Sequence, residues 1–227
     1  DWTLSRGLGD VYKRQPEGVS KKTETYNGSS WTAVNDMNNV RSYVAGFGLQ
    51  TAAIAVGGAP SSPVVLTTES WDGTNWTNLS SPSNVPVGMF TNASCGTQTA
   101  GLIFGGSNVS DSPPGVQSTT LDWNGSSWTA GGNMNTARRR LGGAGTSTAA
   151  LGFGGYLPSP FSTATEAYNG TSWTTLSATL ATGTGHMHGS GTAVSALSAG
   201  GATSTAGAVA TSYAVSYTHL TLPTNCV

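Results

Sequence analysis

The chain has 227 residues, a formal net charge of −1 and only 8% charged residues. That balance argues against nucleic acid as a partner, since a phosphate binder presents clustered Lys and Arg. It also argues against membrane insertion, because no apolar run reaches the roughly 18 residues of a spanning helix. Glycine (32 copies), Ser, Thr and Ala dominate, while Trp, Tyr, Val, Ile and Leu recur at regular places, so the composition points to short strands and tight turns rather than disorder.

The first segment stands apart. Asp10–Gln15 reads Asp-Val-Tyr-Lys-Arg-Gln, which can be encoded GAT GTG TAT AAG AGA CAG. Its reverse complement, shifted by one base, encodes Val-Ser-Tyr-Thr-His, the residues found at Val215–His219. Unrelated protein ends are not expected to be complementary in this way. The segment resembles the translated mosaic end of a transposase library adapter, and the resemblance continues through Ser5–Gly9 and Leu220–Thr224. Residues 1–15 and 214–227 are therefore expected to be adapter-derived, with Ala214 on the boundary and residues 16–213 a piece of a longer protein. On that expectation Cys226 is foreign, and Cys95 alone supports neither a disulfide framework nor a Cys-based metal site.

From there the chain alternates two blocks. One reads aromatic-Asn/Asp-Gly-x-x-Trp and starts at Tyr26, Trp71, Trp123 and Tyr168, with Thr211-Ser212-Tyr213 opening a fifth copy; the spacings are 45, 52, 45 and 45 residues. Asn-Gly or Asp-Gly between apolar runs predicts a hairpin with a type I′ turn, so Thr165–Tyr168 and Trp173–Leu176 are expected to pair. The other block is a small-residue run closing at Gly57-Gly58, Gly105-Gly106, Gly154-Gly155 and Gly200-Gly201. It predicts a second hairpin, for instance Leu141–Gly145 with Ala149–Phe153. Its Gly and Ala content suits strands whose backbones approach closely, such as the innermost strands of a propeller. Each period thus holds about four strands, and its sheets must stack on their neighbours to bury both faces. The Trp of each block supplies the bulk, and Trp128 is expected to be buried.

The order Arg, apolar hairpin, Gly-Gly, variable loop, aromatic-Asn/Asp-Gly, Trp resembles the kelch repeat. The match runs from Arg41 through Gly57-Gly58 to Trp76 and from Arg138 through Gly154-Gly155 to Trp173; Met89 and Thr184 stand at the arginine position of the other units. The resemblance implies an all-β fold, a β-propeller of four-stranded blades, about four blade equivalents here. A small closed ring and an arc of a larger ring both satisfy the spacing, and a linear β-solenoid fits the period less well. The Asn-Gly-rich, Ala/Thr-rich style is also similar to repeats of phage virion and tail proteins and of bacterial surface proteins. The resemblance implies no single activity.

Strand order places the turns within each hairpin on one face. The variable loops Ala59–Leu66, Ser107–Gln117 and Tyr156–Ser162 fall with the inter-blade segments on the other, where binding usually resides. Asp111, Tyr156 and Phe161 are the candidate ligand-face residues, and a protein or glycan is the expected class of partner. No catalytic, cofactor-binding or metal residue is assigned. His186 and His188 share a strand face but lack a third native His and a nearby carboxylate, and Cys95 does not match the ligand set of the kelch-fold copper oxidases. Arg138–Arg140 invite an anion, but strand alternation predicts stems that snorkel over their neighbours. Asn27, Asn124 and Asn169 fit the glycosylation sequon, which turn chemistry already explains. Glu24, Glu69 and Glu166 recur before the aromatic block, which predicts a structural role between blades. The expected function is a non-catalytic binding or structural module on a virion, tail or cell surface. The alternative is a piece of a carbohydrate-active or oxidative propeller enzyme whose active residues lie elsewhere.

Overall fold

The structure, a computed structural model, describes residues 20–58, 65–108, 115–157 and 161–203, with backbone alone for 207–208 and 212–216. All regular elements among these are strands. The hairpin of β1 (Thr23–Tyr26) and β2 (Trp31–Val34) comes first. Next come β3 (Ala45–Leu49), β4 (Ala52–Val56), β5 (Thr68–Trp71) and β6 (Trp76–Asn78), an antiparallel sheet in sequence order. The short strand β7 (Met89–Phe90) leads into the second full sheet. It is built of β8 (Ala93–Thr97), β9 (Ala100–Phe104), β11 (Thr120–Trp123) and β12 (Trp128–Ala130), and β10 (Ser107–Asn108) leaves β9 to pair with β7. The third holds β13 (Gly142–Gly145), β14 (Ala150–Phe153), β15 (Thr165–Tyr168) and β16 (Trp173–Thr175). The last has β17 (His188–Gly191), β18 (Ser195–Ala199) and, beyond the ribbon β19 (Ala202–Thr203) and β20 (Gly207–Ala208), β21 (Ser212–Ser216). The fold is all-β and propeller-like, with three successive four-stranded sheets between a two-stranded and a three-stranded one. Strand β21 crosses the expected adapter boundary, since Ala214 to Ser216 pair with Leu197 to Ser195.

The core is a series of layers between sheets. Phe47 and Ile54 of one sheet meet Ile103, Leu121, Trp123 and Trp128 of the next. Leu102 and Phe104 then meet Ala150, Tyr168 and Trp173, and Leu151 and Phe153 meet Met187 and Ala196. This is the packing expected of sheets too thin to bury two faces alone. The first strands of successive sheets, β3, β8, β13 and β17, lie side by side. Their glycines are explained there: a Cβ on Gly189 would run into the Gly143 carbonyl of the neighbouring strand.

The hairpin loop of the aromatic block differs from the expected type I′ turn. Tyr168 pairs with Trp173 across four loop residues, and Asn169 is not at positive φ; only Gly170 is, at 91°. The Asn acts through its side chain instead. Asn169 Oδ1 accepts from the backbone N–H of Thr171 at 3.0 Å and of Ser172 at 2.9 Å. Asp72 does the same for Thr74 and Asn75. These bonds draw the Asp72 carboxyl below its usual range, and the shared geometry explains why Asp can stand at this position in place of Asn.

Candidate functional site

The Arg and Glu that recur in two of the units are turned inward. Arg41 and Glu69, like Arg138 and Glu166, form ion pairs of 2.8 Å with side chains fully removed from solvent. Arg138 also donates to the carbonyls of Gly154 (2.8 Å) and Ala164 (2.7 Å), tying the end of β14 to the approach to β15. Glu166 accepts from the backbone N–H of Asn135 at 2.7 Å, and Glu69 from those of Asn38 and Asn39 at 2.7 and 3.1 Å. A structural role between blades was expected of these glutamates; the bonds they make run from each sheet to the segment entering that same sheet. Glu24, at the same repeat position, is exposed and makes no ion pair among the described residues. The snorkelling expected of Arg138 is wrong. A carboxylate and two carbonyls take its terminal Nη donors in the interior, with Nε left unpartnered, and a buried charge is tolerated only when so paired.

Two further latches were not read from the sequence. The indole N–H of Trp76, Trp128 and Trp173 donates to the hydroxyl of Thr23, Thr68 and Thr120 in the preceding unit, at 2.9, 3.0 and 2.9 Å. The signal was present, as each Thr opens the strand that carries the aromatic block. The Gly-Gly pairs form the other latch. Gly106 N donates to Arg138 O at 2.7 Å and Gly155 N to Thr184 O at 2.8 Å, each reaching the next unit. Gly154 and Gly155 sit at φ 61° and 101°, and a Cβ on Gly154 would lie 2.6 Å from Thr184 O.

What the repeats leave over gathers on the face of the variable loops. Tyr43, Thr91, Arg140 and His186 occupy one equivalent position, two residues past Arg41, Met89, Arg138 and Thr184. All four have positive φ, 54° to 59°, the only non-glycine residues among those described that do. Their backbones form a chain: Thr91 N donates to Tyr43 O, Arg140 N to Thr91 O and His186 N to Arg140 O, at 3.4, 2.7 and 2.8 Å. A β-branched residue such as Thr91 is strained there. With four unlike side chains and no Gly or Asn, nothing in the sequence marks the position.

Arg139 lies over the Tyr156 ring, 4.6 Å from its centroid, and Phe161 meets that ring edge-on at 5.4 Å. Tyr156 is bridged through its backbone to both Arg139 and Phe161. Tyr43 packs against Phe90 at 6.4 Å and is 45% exposed. The structure therefore brings together two candidates, Tyr156 and Phe161, and adds Arg139, Arg140, His186 and Tyr43. Asp111 lies outside the described residues.

Arg140 Nη1 is 2.7 Å from His186 Nε2. A guanidinium only donates, so Nε2 accepts and the imidazole is assigned as neutral with its proton on Nδ1. Burial and the charges of Arg140 and Arg139 hold the His186 pKa below its ordinary 6.5. The bond occupies the Nε2 lone pair, and His188 is exposed on β17. Among the described residues no three His, Cys, Asp or Glu side chains cluster as metal ligands. Cys95 is buried, which pushes its thiol up to about 12, far from a reactive thiolate. Asp122, raised by burial, accepts from the Tyr168 hydroxyl at 3.3 Å between two sheets.

The arrangement defines a repeat scaffold of propeller-like class with one chemically varied face. Comparison with protein-family models gave no match, and comparison with curated proteins gave none.

Proposed function

We propose that the chain is a kelch-like repeat module that binds its ligand without catalysis, through the face carrying the variable loops. The observation that carries this reading is a division of labour. The residues repeated from unit to unit hold the sheets together, whereas the positions differing between units, Tyr43, Thr91, Arg140 and His186, converge on that one face with Arg139, Tyr156 and Phe161 beside them. A rigid scaffold presenting varied side chains is how loop-face binding surfaces are built. Tyr43 is exposed and Tyr156 half-buried there, and tyrosine and arginine are among the side chains most enriched at binding hot spots.

The test is an array of glycans and peptides probed with the full chain, its Phe161→Ala and Tyr43→Ala variants, and a Thr171→Ala control on the opposite face. The expected result is a ligand whose affinity falls about tenfold or more in the first two variants and is unchanged in the third. Absence of any ligand, or a ligand sensitive only to Thr171, overturns the proposal.

A further inference from the structure

We propose that the surface around Arg139 binds the carboxylate of an acidic sugar. This deepens the binding reading above and rests on it.

The first support is charge. Arg139 makes no ion pair among the described residues, and its Nε is buried without a hydrogen-bond partner. Its one described side-chain hydrogen bond, from Nη1 to Ser107 Oγ, is long at 3.5 Å. Six carboxylates lie among the described residues. Glu69 and Glu166 are consumed by Arg41 and Arg138, Asp36 by Lys22, and Asp122 is bonded to Tyr168. Asp72 is committed to its turn and Glu24 lies on β1. Arg140 and His186 stand beside Arg139, and the imidazole is held neutral by the guanidinium donating to it. A planar guanidinium with donors unpaired among the described residues matches a carboxylate in two parallel bonds, the strongest hydrogen-bonded pairing available to it.

The second support is neutral. Thr91 Oγ1 and Asn92 Oδ1 are also buried and without a hydrogen-bond partner, one a donor and acceptor, the other an acceptor. Buried polar atoms left unsatisfied in a native fold demand an explanation, and a hydroxylated ligand supplies one. Thr91 is bonded through its backbone to Arg140, so these buried atoms lie directly beside the arginines. The third support is apolar. Tyr43 with Phe90, and Tyr156 with Phe161, give flat rings of the size that a pyranose covers. An inorganic anion would use the charge alone. An acidic sugar uses charge, hydroxyl partners and rings together.

The experiment is calorimetric titration of the full chain with a uronic-acid disaccharide, its carboxyl-reduced neutral counterpart, sodium acetate and an acidic peptide. Arg139→Gln and Phe161→Ala variants are titrated in parallel, with their thermal midpoints measured to show that they fold. The expected result is binding of the uronic-acid disaccharide, weakened about tenfold or more by Arg139→Gln and by removal of the carboxyl. Binding should also weaken as ionic strength rises. Equal binding of the neutral disaccharide overturns the carboxylate assignment while leaving a binding module standing. Acetate binding as tightly as the disaccharide overturns the sugar, and tighter binding of the peptide reassigns the face to acidic protein. No binding of any of the four overturns this inference, and the glycan and peptide array then decides the broader reading separately.

Discussion

Two equivalent places in adjacent sheets solve one packing problem with opposite chemistry. In the β13–β16 sheet the site holds Arg138 and Glu166, an ion pair of 2.8 Å with no solvent exposure. In the β8–β12 sheet it holds Met89 and Leu121, 1% and 2% exposed, merged into the apolar layer with Ile103 and Trp123. Between these two sheets both members change together, so neither sheet buries half a pair. A lone buried charge costs several kcal/mol, whereas a complete ion pair and a well-packed apolar pair differ little. The repeat therefore tolerates either solution but not a mixture. The recurrent Arg and Glu are accordingly a packing choice, and their presence in two units of a sequence is no sign of catalysis.

The largest effect should come from making such a mixture. Glu166→Leu alone strands Arg138 among apolar neighbours and carbonyls, and should lower the unfolding free energy by about 3–5 kcal/mol in urea titration. Trp128→Ala, which opens a cavity where the native ring is 8% exposed, should also cost about 3–5 kcal/mol. Trp31, at the same repeat position on β2, is 49% exposed, and Trp31→Ala should cost under about 1 kcal/mol. A smaller change, near 1–3 kcal/mol, is expected for Thr120→Val, which leaves the buried Trp173 indole without its acceptor.

Much of this framework was legible in the sequence. The period, the paired hairpins and the crowding of Gly and Ala in the first strands follow from turn chemistry and strand propensity, and the structure has each of them. The hairpin Thr165–Tyr168 with Trp173–Thr175 falls one residue short of its expected end at Leu176. Asn169 was misjudged because Asn-Gly has two uses, as a positive-φ dipeptide and as a side-chain acceptor followed by a glycine, and only the loop length separates them. Arg138 was misjudged because alternation gives direction but not partners, and Glu166 lies 28 residues away. The positive-φ chain was invisible, since Tyr, Thr, Arg and His share no propensity for that conformation. Tyr156 and Phe161 were singled out by their loop, whereas the cationic neighbours that give them chemistry come from the inter-blade segments.

Acid sharpens the comparison further. Burial alone would raise the Glu69 pKa, but hydrogen bonds from Asn39, Arg41 and the Asn38 backbone bring it below its ordinary 4.5. A carboxylate with a depressed folded-state pKa adds stability that is present above the unfolded value and lost as pH falls through the folded one. The acid limb of a stability–pH curve should therefore be steeper in the native chain than in a variant carrying Arg41→Met with Glu69→Leu. The smallest expected effect belongs to His186. Its imidazole resonance should titrate below 6.5, and Arg140→Gln should move the midpoint upward. A lowered His pKa leaves its stability contribution intact above 6.5 and reduces it as pH falls toward the folded value, because the unfolded chain then binds the extra proton.

The central claim is that the repeated Arg and Glu are one interchangeable packing unit. The direct measurement is a double-mutant cycle on Arg138→Met and Glu166→Leu, read as unfolding free energy. The account predicts that each single change is severely destabilising and that the double variant, which copies Met89 and Leu121, returns to within about 1 kcal/mol of the native chain or above it. If the two losses simply add, the pair is not a unit, and the polar residues of the repeat have a role that packing does not explain.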